Sequence, residues 1–255
     1  MTRSILILGG TADARILAGK LADESGYRLL LSMAGRTRDP VPQPVPMRSG
    51  GFGGADGLAT FITENGFDLL VDATHPYAAQ ISANAAQAAD MANVPLIALE
   101  RPAWEKLDGD DWQDVANVEA AVQALGTESR NAFLALGRQE LMPFEAAPQH
   151  HYLIRSVDPV DPPLLVPHAR YITARGPFAV EDEIELLREN RIGFIVSKNS
   201  GGTAAYAKIE AARKLGITVL MIARPPRPTG MTVPTINAAL AAIRHQLSLL
   251  DERGE

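Results

Sequence analysis

The sequence predicts an α/β protein, built as two Rossmann-like halves whose mostly parallel sheets are covered by helices. Two observations carry that expectation. Short apolar runs alternate with amphipathic, alanine-rich stretches along nearly the whole chain, the pattern of parallel strands joined by crossover helices. The first run, Ile5-Leu6-Ile7-Leu8, stops at Gly9-Gly10-Thr11 and passes directly into a helical stretch. With 255 residues, 46% of them hydrophobic, the chain has enough apolar surface to bury a substantial core.

Strands are expected near residues 4–8, 28–33, 68–73, 95–99, 132–136, 151–155, 170–173, 193–197 and 217–222. Helices are expected near 12–24, 56–66, 78–92, 117–126, 180–191, 202–215 and 234–249. The periodicity fails between Arg101 and Asp114, where Pro102, Trp104 and a run of acids read as a connection. The expected organisation is therefore an N-terminal domain over 1–100, a connection over 101–114 and a C-terminal domain over 115–255, with an active-site cleft between the halves. The last helix, after Pro234, is able to pack on either half.

Composition excludes several classes. There is no cysteine, which removes disulfides, thiolate nucleophiles and thiolate-bound metals and suits a reducing cytoplasm. The four large apolar residues before the first glycines are too few for a signal peptide, and no stretch is long enough to span a membrane. A net charge of −6 speaks against a general nucleic-acid binder. His150-His151 is the only histidine pair, and neighbours on a strand face opposite ways, so no metal site is expected. The chain carries no P-loop, no H-E-x-x-H, no G-x-S-x-G and no Tyr followed four residues later by Lys.

The turn Gly9-Gly10-Thr11-Ala12-Asp13-Ala14 is a candidate phosphate cradle. Glycines let the backbone approach a pyrophosphate, and the following helix presents unpaired N–H groups and a positive dipole end. Gly9 and Ala14 match the outer positions of the dinucleotide fingerprint; the middle position is Thr11, and the extra glycine comes one residue early. A tight turn without a ligand would look the same. The second strand adds to the case: it ends in Ser32-Met33-Ala34-Gly35-Arg36-Thr37-Arg38 with no acid before Asp39. A ribose 2′-hydroxyl asks for a carboxylate there, whereas hydroxyl and guanidinium donors suit a 2′-phosphate, which favours NADPH over NADH. The loop Gly50-Gly51-Phe52-Gly53-Gly54 is a further candidate contact to the cofactor, or else a linker.

Candidate chemistry lies at later strand ends. Asp72-Ala73-Thr74-His75-Pro76-Tyr77 places four polar groups in six residues after a buried strand, where α/β sheets bind ligands. In the second half, Ser197-Lys198-Asn199-Ser200-Gly201-Gly202 repeats the order of strand, polar glycine loop and helix. Lys198 could meet a carboxylate or phosphate, and Gly201 and Gly202 could cradle it. Arg138 and Arg175 stand in two further turns, Gly137-Arg138-Gln139 and Ala174-Arg175-Gly176-Pro177-Phe178.

Taken in order, these segments, with Glu100-Arg101-Pro102-Ala103-Trp104, resemble the precorrin-6A reductase family of cobalamin biosynthesis. The resemblance implies an NADPH-dependent reduction of one double bond of a polycarboxylate tetrapyrrole, precorrin-6A, to precorrin-6B. It implies a cofactor site at Gly9, Gly10, Thr11, Ser32, Gly35, Arg36, Gly51, Phe52, Gly53, Asp72 and Thr74. Catalytic groups would be His75, Tyr77 and Lys198. Substrate carboxylates would meet Arg101, Arg138, Arg175, Ser200, Gly201 and Gly202. Other enzymes of that pathway would be its neighbours and candidate partners. The same reduction on a cobalt-containing substrate, a non-catalytic NADPH-binding module and a reductase of a small carbonyl compound remain alternatives.

Overall fold

A computed structural model describes residues 2–35, 41–228 and 230–253. It divides the chain into two compact units, residues 1–102 with 225–255, and residues 103–224. The first unit contains β1 (Arg3–Leu8), α1 (Ala12–Ala22), β2 (Tyr27–Met33), β3 (Met47–Ser49), α2 (Ala55–Glu64), β4 (Leu69–Asp72), α3 (Ala79–Ala92) and β5 (Leu96–Leu99). The second contains β6 (Trp112–Val115), α4 (Val118–Ala124), β7 (Asn131–Ala135), β8 (His151–Ser156), β9 (Ala169–Thr173), α5 (Val180–Glu189), β10 (Phe194–Lys198), α6 (Ala207–Leu215) and β11 (Thr218–Ile222). The chain then returns to the first unit for β12 (Met231–Val233) and α7 (Ile236–Arg253).

Each unit holds one six-stranded sheet, and every strand pairing is parallel. The first sheet runs β3-β2-β1-β4-β5-β12 and the second β9-β8-β7-β10-β11-β6. Both are doubly wound, the order reversing between β1 and β4 in the first sheet and between β7 and β10 in the second. The sixth position is filled from the far end of the unit's chain in both cases. In the first sheet it is β12, which follows the whole second unit; in the second it is β6, which precedes the unit's other strands.

The packing follows from period-two alternation in strands buried on both faces. Ile5 and Ile7 lie with Leu17 and Leu21 of α1 and Leu240, Ile243 and Leu247 of α7. Leu6 and Leu8 lie with Leu58 and Ile62 of α2 and Ala85 and Ala88 of α3. Each fully buried Leu or Ile contributes roughly 1.5–3 kcal/mol against exposure. In the second sheet Phe133, Ile195 and Val219 pack with Leu187 of α5 and Ile209 of α6.

Three strands go beyond the sequence reading: β3, β6 and β12. All are edge strands of three or four residues with few buried side chains, so they lack the apolar run that marks their neighbours. The expected connection over 101–114 is corrected accordingly, since Trp112–Val115 pairs with β11. The last helix, left open between the two halves by the sequence, buries its apolar side on α1 and the first sheet, and the second compact unit ends at Arg224. The helix expected from 202 begins at Ala207, because Gly201 and Gly202 both take left-handed φ, +68° and +69°.

Candidate active site

In each sheet the order reverses between two central strands, and the turns leaving those strands gather most of the candidate residues. In the first sheet these are the turns after β1 and β4. Gly9 is required by packing: a Cβ there would stand 2.7 Å from Leu31 Cδ1 and 3.3 Å from Ala14 Cβ. Gly10 is required by conformation, with φ +109°, and no described atom lies within 4 Å of where its Cβ would project. A side chain at Gly10 would occupy open space beside the start of α1, where the first N–H groups have no partner within the helix. This is a cradle of the form that fits a diphosphate.

Thr11 also has a use within the fold. Its Oγ1 accepts from Ala14 N (3.0 Å) and donates to Ala73 O (2.8 Å). The hydroxyl thus caps α1 and ties the β1 turn to the β4 turn. Asp72 is likewise tied into the fold by internal bonds. It is 2% exposed. Its Oδ1 accepts from Thr74 N (3.0 Å) and Thr74 Oγ1 (2.6 Å), and its Oδ2 from Ser82 Oγ (2.6 Å). Arg227, on the returning segment, lies 3.4 Å from Asp72 Oδ2 and 3.1 Å from Glu100 Oε2. Thr74, itself buried, therefore braces the turn from below.

His75 and Tyr77 stand half-buried at the top of that turn. Tyr77 N donates to His75 Nδ1 (3.3 Å), and the two rings lie 5.7 Å apart. With Nδ1 accepting, the neutral imidazole carries its hydrogen on Nε2. The turn closes through Ala78 N to His75 O (2.8 Å).

The end of β2 is organised by Arg48, which the sequence reading passed over. Its Nη1 donates to Ser32 Oγ (2.9 Å) and Gly50 O (3.0 Å), its Nη2 to Gly51 O (3.2 Å), and the guanidinium lies 3.9 Å from the centre of the Phe52 ring. Ser32 is buried beneath it and its carbonyl accepts from Gly9 N (2.9 Å). Gly35 and Gly53 take φ of +73° and +84°. Arg36, with Thr37 and Arg38, lies outside the described residues. Arg48 was missed because β3 was; its signal is an arginine placed just before Ser49-Gly50-Gly51 at the end of a third strand.

In the second unit the corresponding turns follow β7 and β10. Gly137 N donates to Glu140 Oε2 (3.1 Å), and Glu140 Oε1 is paired with Lys198 Nζ. An internal carboxylate thus joins the two turns. Arg138 begins the short 3-10 helix Arg138–Glu140, and Arg175 is exposed after β9. Beyond Lys198, Ser200 N donates to Lys198 O (2.8 Å), and Asn199 is gripped by the main chain of Trp104. Arg101, in the first unit, pairs with Asp13 of the first turn of α1 at 2.7 Å.

Behind the β10 turn lie charges that sequence reasoning did not single out. Arg155 and Glu183 form a two-pronged pair with side chains 9% and 2% exposed, and Arg155 stacks 3.7 Å from the Phe178 ring. Beside them Lys208 is buried. Desolvation, reinforced by Arg155 and opposed by Glu183, brings its ammonium down to about 7. Among the described residues no group of three or more His, Cys, Asp or Glu side chains could hold a metal, and no helix is long and apolar enough to cross a membrane.

Residues 4–244 match the family described as precorrin-6x reductase CbiJ/CobK. The chain belongs to the precorrin-6x reductase family. A relative from Sinorhizobium sp, named precorrin-6A reductase, is 57% identical over 96% of this chain and 94% of its own length. Another of that name from Rhodobacter capsulatus is 49% identical over 94% and 95%. A relative from Priestia megaterium, named cobalt-precorrin-6A reductase, is 28% identical over 95% and 98%. A solved structure named CobK precorrin-6A reductase superposes with a TM-score of 0.91 at 47% identity, covering 96% of this chain and 97% of its own. The family span takes in the turns after β1, β4, β7 and β10 and the returning strand β12.

Proposed function

We propose that this chain reduces one double bond of precorrin-6A to give precorrin-6B, in cobalamin biosynthesis, using NADPH. The observation that carries the reading is the open glycine cradle at the reversal point of the first sheet, in a chain of the reductase family. The much higher identity to relatives named for precorrin-6A than to those named for the cobalt form supports a metal-free substrate.

When bound, NADPH supplies the hydride. Gly9, Gly10, the Thr11 backbone and the start of α1 hold the diphosphate through N–H groups and the helix dipole. Arg48, Ser32 and Gly35, with Arg36 as the sequence suggests, receive the 2′-phosphate end. The Gly51–Gly53 loop, fixed by Arg48 and Phe52, lies alongside. His75 donates a hydrogen bond from Nε2 toward the reduced bond, the Tyr77 N–H holds the imidazole in the tautomer that directs it there, and the proton added to the second carbon comes from water, so the ring stays neutral. Lys198, Arg138, Ser200, Gly201 and Gly202 anchor substrate carboxylates, and Arg175 is exposed for the same role.

The test is turnover with precorrin-6A, followed by loss of the reduced-nicotinamide absorbance. Oxidation of NADPH well ahead of NADH is the expected result. Cofactor binding without oxidation would make the chain a binding module, and faster reaction of the cobalt-containing substrate would move it to the other branch.

A further inference from the structure

We propose that Trp104 is a positioning residue for the loop Lys198–Gly202. The proposal rests on the reading that this loop takes carboxylates of the substrate, and its test separates the two. Gly201 and Gly202 are consecutive residues in left-handed φ with no side chains to hold them, so the loop's shape must be imposed by its neighbours. Trp104 supplies three bonds that bracket it. Its N–H donates to Asn199 Oδ1 (2.7 Å), its carbonyl accepts from Asn199 Nδ2 (2.9 Å), and its indole Nε1 donates to Gly202 O (2.7 Å). Ser200 and Gly201 lie between the two anchored residues.

The indole is itself held in place. Tyr206 meets it edge-on at 5.6 Å and 60°, and Lys208 Nζ stands 4.9 Å from the ring centre while donating to Ala205 O (2.7 Å). The Tyr206 hydroxyl accepts from Arg213 Nη2 (2.6 Å), and Arg213 is bound to Asp110 (2.9 Å), which also accepts from Leu107 N (2.8 Å). The segment carrying Trp104 has no regular structure before β6, so these side chains and not a helix or strand set its path. Trp104 acts through the Gly202 carbonyl: fixing that peptide fixes the direction of the loop's amides and of Ser200.

Trp104→Phe keeps the ring against Tyr206 and Lys208 and both bonds to Asn199, and removes only the indole N–H. The expected result is a KM for precorrin-6A raised about tenfold, the scale of one ordinary hydrogen bond, with kcat, NADPH affinity and Tm little changed. Trp104→His, which restores a ring donor, should recover part of the loss. An unchanged KM overturns the proposal, and so does a fall in Tm and active fraction with KM intact. Should W104F not fold, Asn199→Asp removes the donor to Trp104 O and is read in the same way. Lys198→Ala distinguishes the failures. If K198A leaves KM unchanged, the substrate reading of the loop falls; if K198A raises KM and W104F does not, only the role of Trp104 falls.

Discussion

The two sheets share one five-strand core order, yet their central turns use charge in opposite ways. In the first unit the turn after β1 leaves open space at Gly10, and the neighbouring turn is braced from beneath by the buried Asp72. In the second unit the turn after β7 has its glycine N–H answered by Glu140, whose carboxylate also pairs with Lys198 from the turn after β10. Open space beside a glycine therefore stands at one reversal point and an internal anion at the other. One strand order thus supports two uses, and the difference lies in a few side chains at the turns.

The largest expected effect tests how much each unit depends on its buried ion pair. Glu183→Gln strands Arg155, 9% exposed, without a carboxylate, and should cost about 3–5 kcal/mol of unfolding free energy in chemical denaturation. NADPH affinity of the folded protein should survive. Asp72→Asn, at the matching pair with Arg227, should lose turnover as well as stability, since Asp72 also shapes the turn bearing His75. If E183Q abolished cofactor binding and D72N spared turnover, the contrast between the units would be reversed.

The pH dependence of stability should come from the second unit. Lys208 falls from 10.5 to about 7 on burial, so between those values the unfolded chain binds the extra proton. Stability should therefore rise as pH increases through that window, and below about 7, where both states are charged, the cost of burial is fully present. Lys208→Met should stabilise by on the order of 2–4 kcal/mol near pH 6, with the gain shrinking toward pH 10. A gain independent of pH would mean that the lysine stays charged in the folded protein.

Much of the fold was legible because the inner strands are buried on both faces and read as continuous apolar runs, as Ile5–Leu8 and Phe194–Val196 do. The edge strands were not, since Met47–Ser49 and Met231–Val233 bury too little to leave a pattern. The site divided in the same way. Glycines and strand-end polar residues announced the turns, but bond partners decide what each does. Thr11 and Asp72, expected at the cofactor, also brace the turns from within. Arg48 and Glu140, which the sequence motifs do not single out, organise the two sites. Glu140, three residues after Gly137 at a turn, did carry a capping signature that could have been read.

The cradle itself is tested by glycine substitutions in both units. Gly10→Val places a side chain where the diphosphate would lie, and should weaken NADPH about a hundredfold while backbone strain costs roughly 1–2 kcal/mol of stability. Gly137→Ala, at φ −70°, meets only Glu140 Oε2 at 3.2 Å and should leave NADPH affinity within about twofold. Equal losses, measured by titration of cofactor fluorescence, would remove the assignment of the cofactor to the first unit.

The smallest expected effect decides where Arg101 belongs. Its partner Asp13 sits in the first turn of α1, where a carboxylate favours the helix dipole but repels a bound diphosphate. Arg101 cancels that charge. Both side chains are partly exposed, 22% and 29%, so Arg101→Met should cost well under about 1 kcal/mol in stability. NADPH affinity should fall about threefold to fivefold at low salt and less at high salt, and adding Asp13→Asn should restore it. Were R101M to raise the KM for precorrin-6A with NADPH affinity intact, Arg101 would return to the substrate anchors among which the sequence placed it. Its ion pair with Asp13 would then be a resting contact that leaves the cofactor untouched.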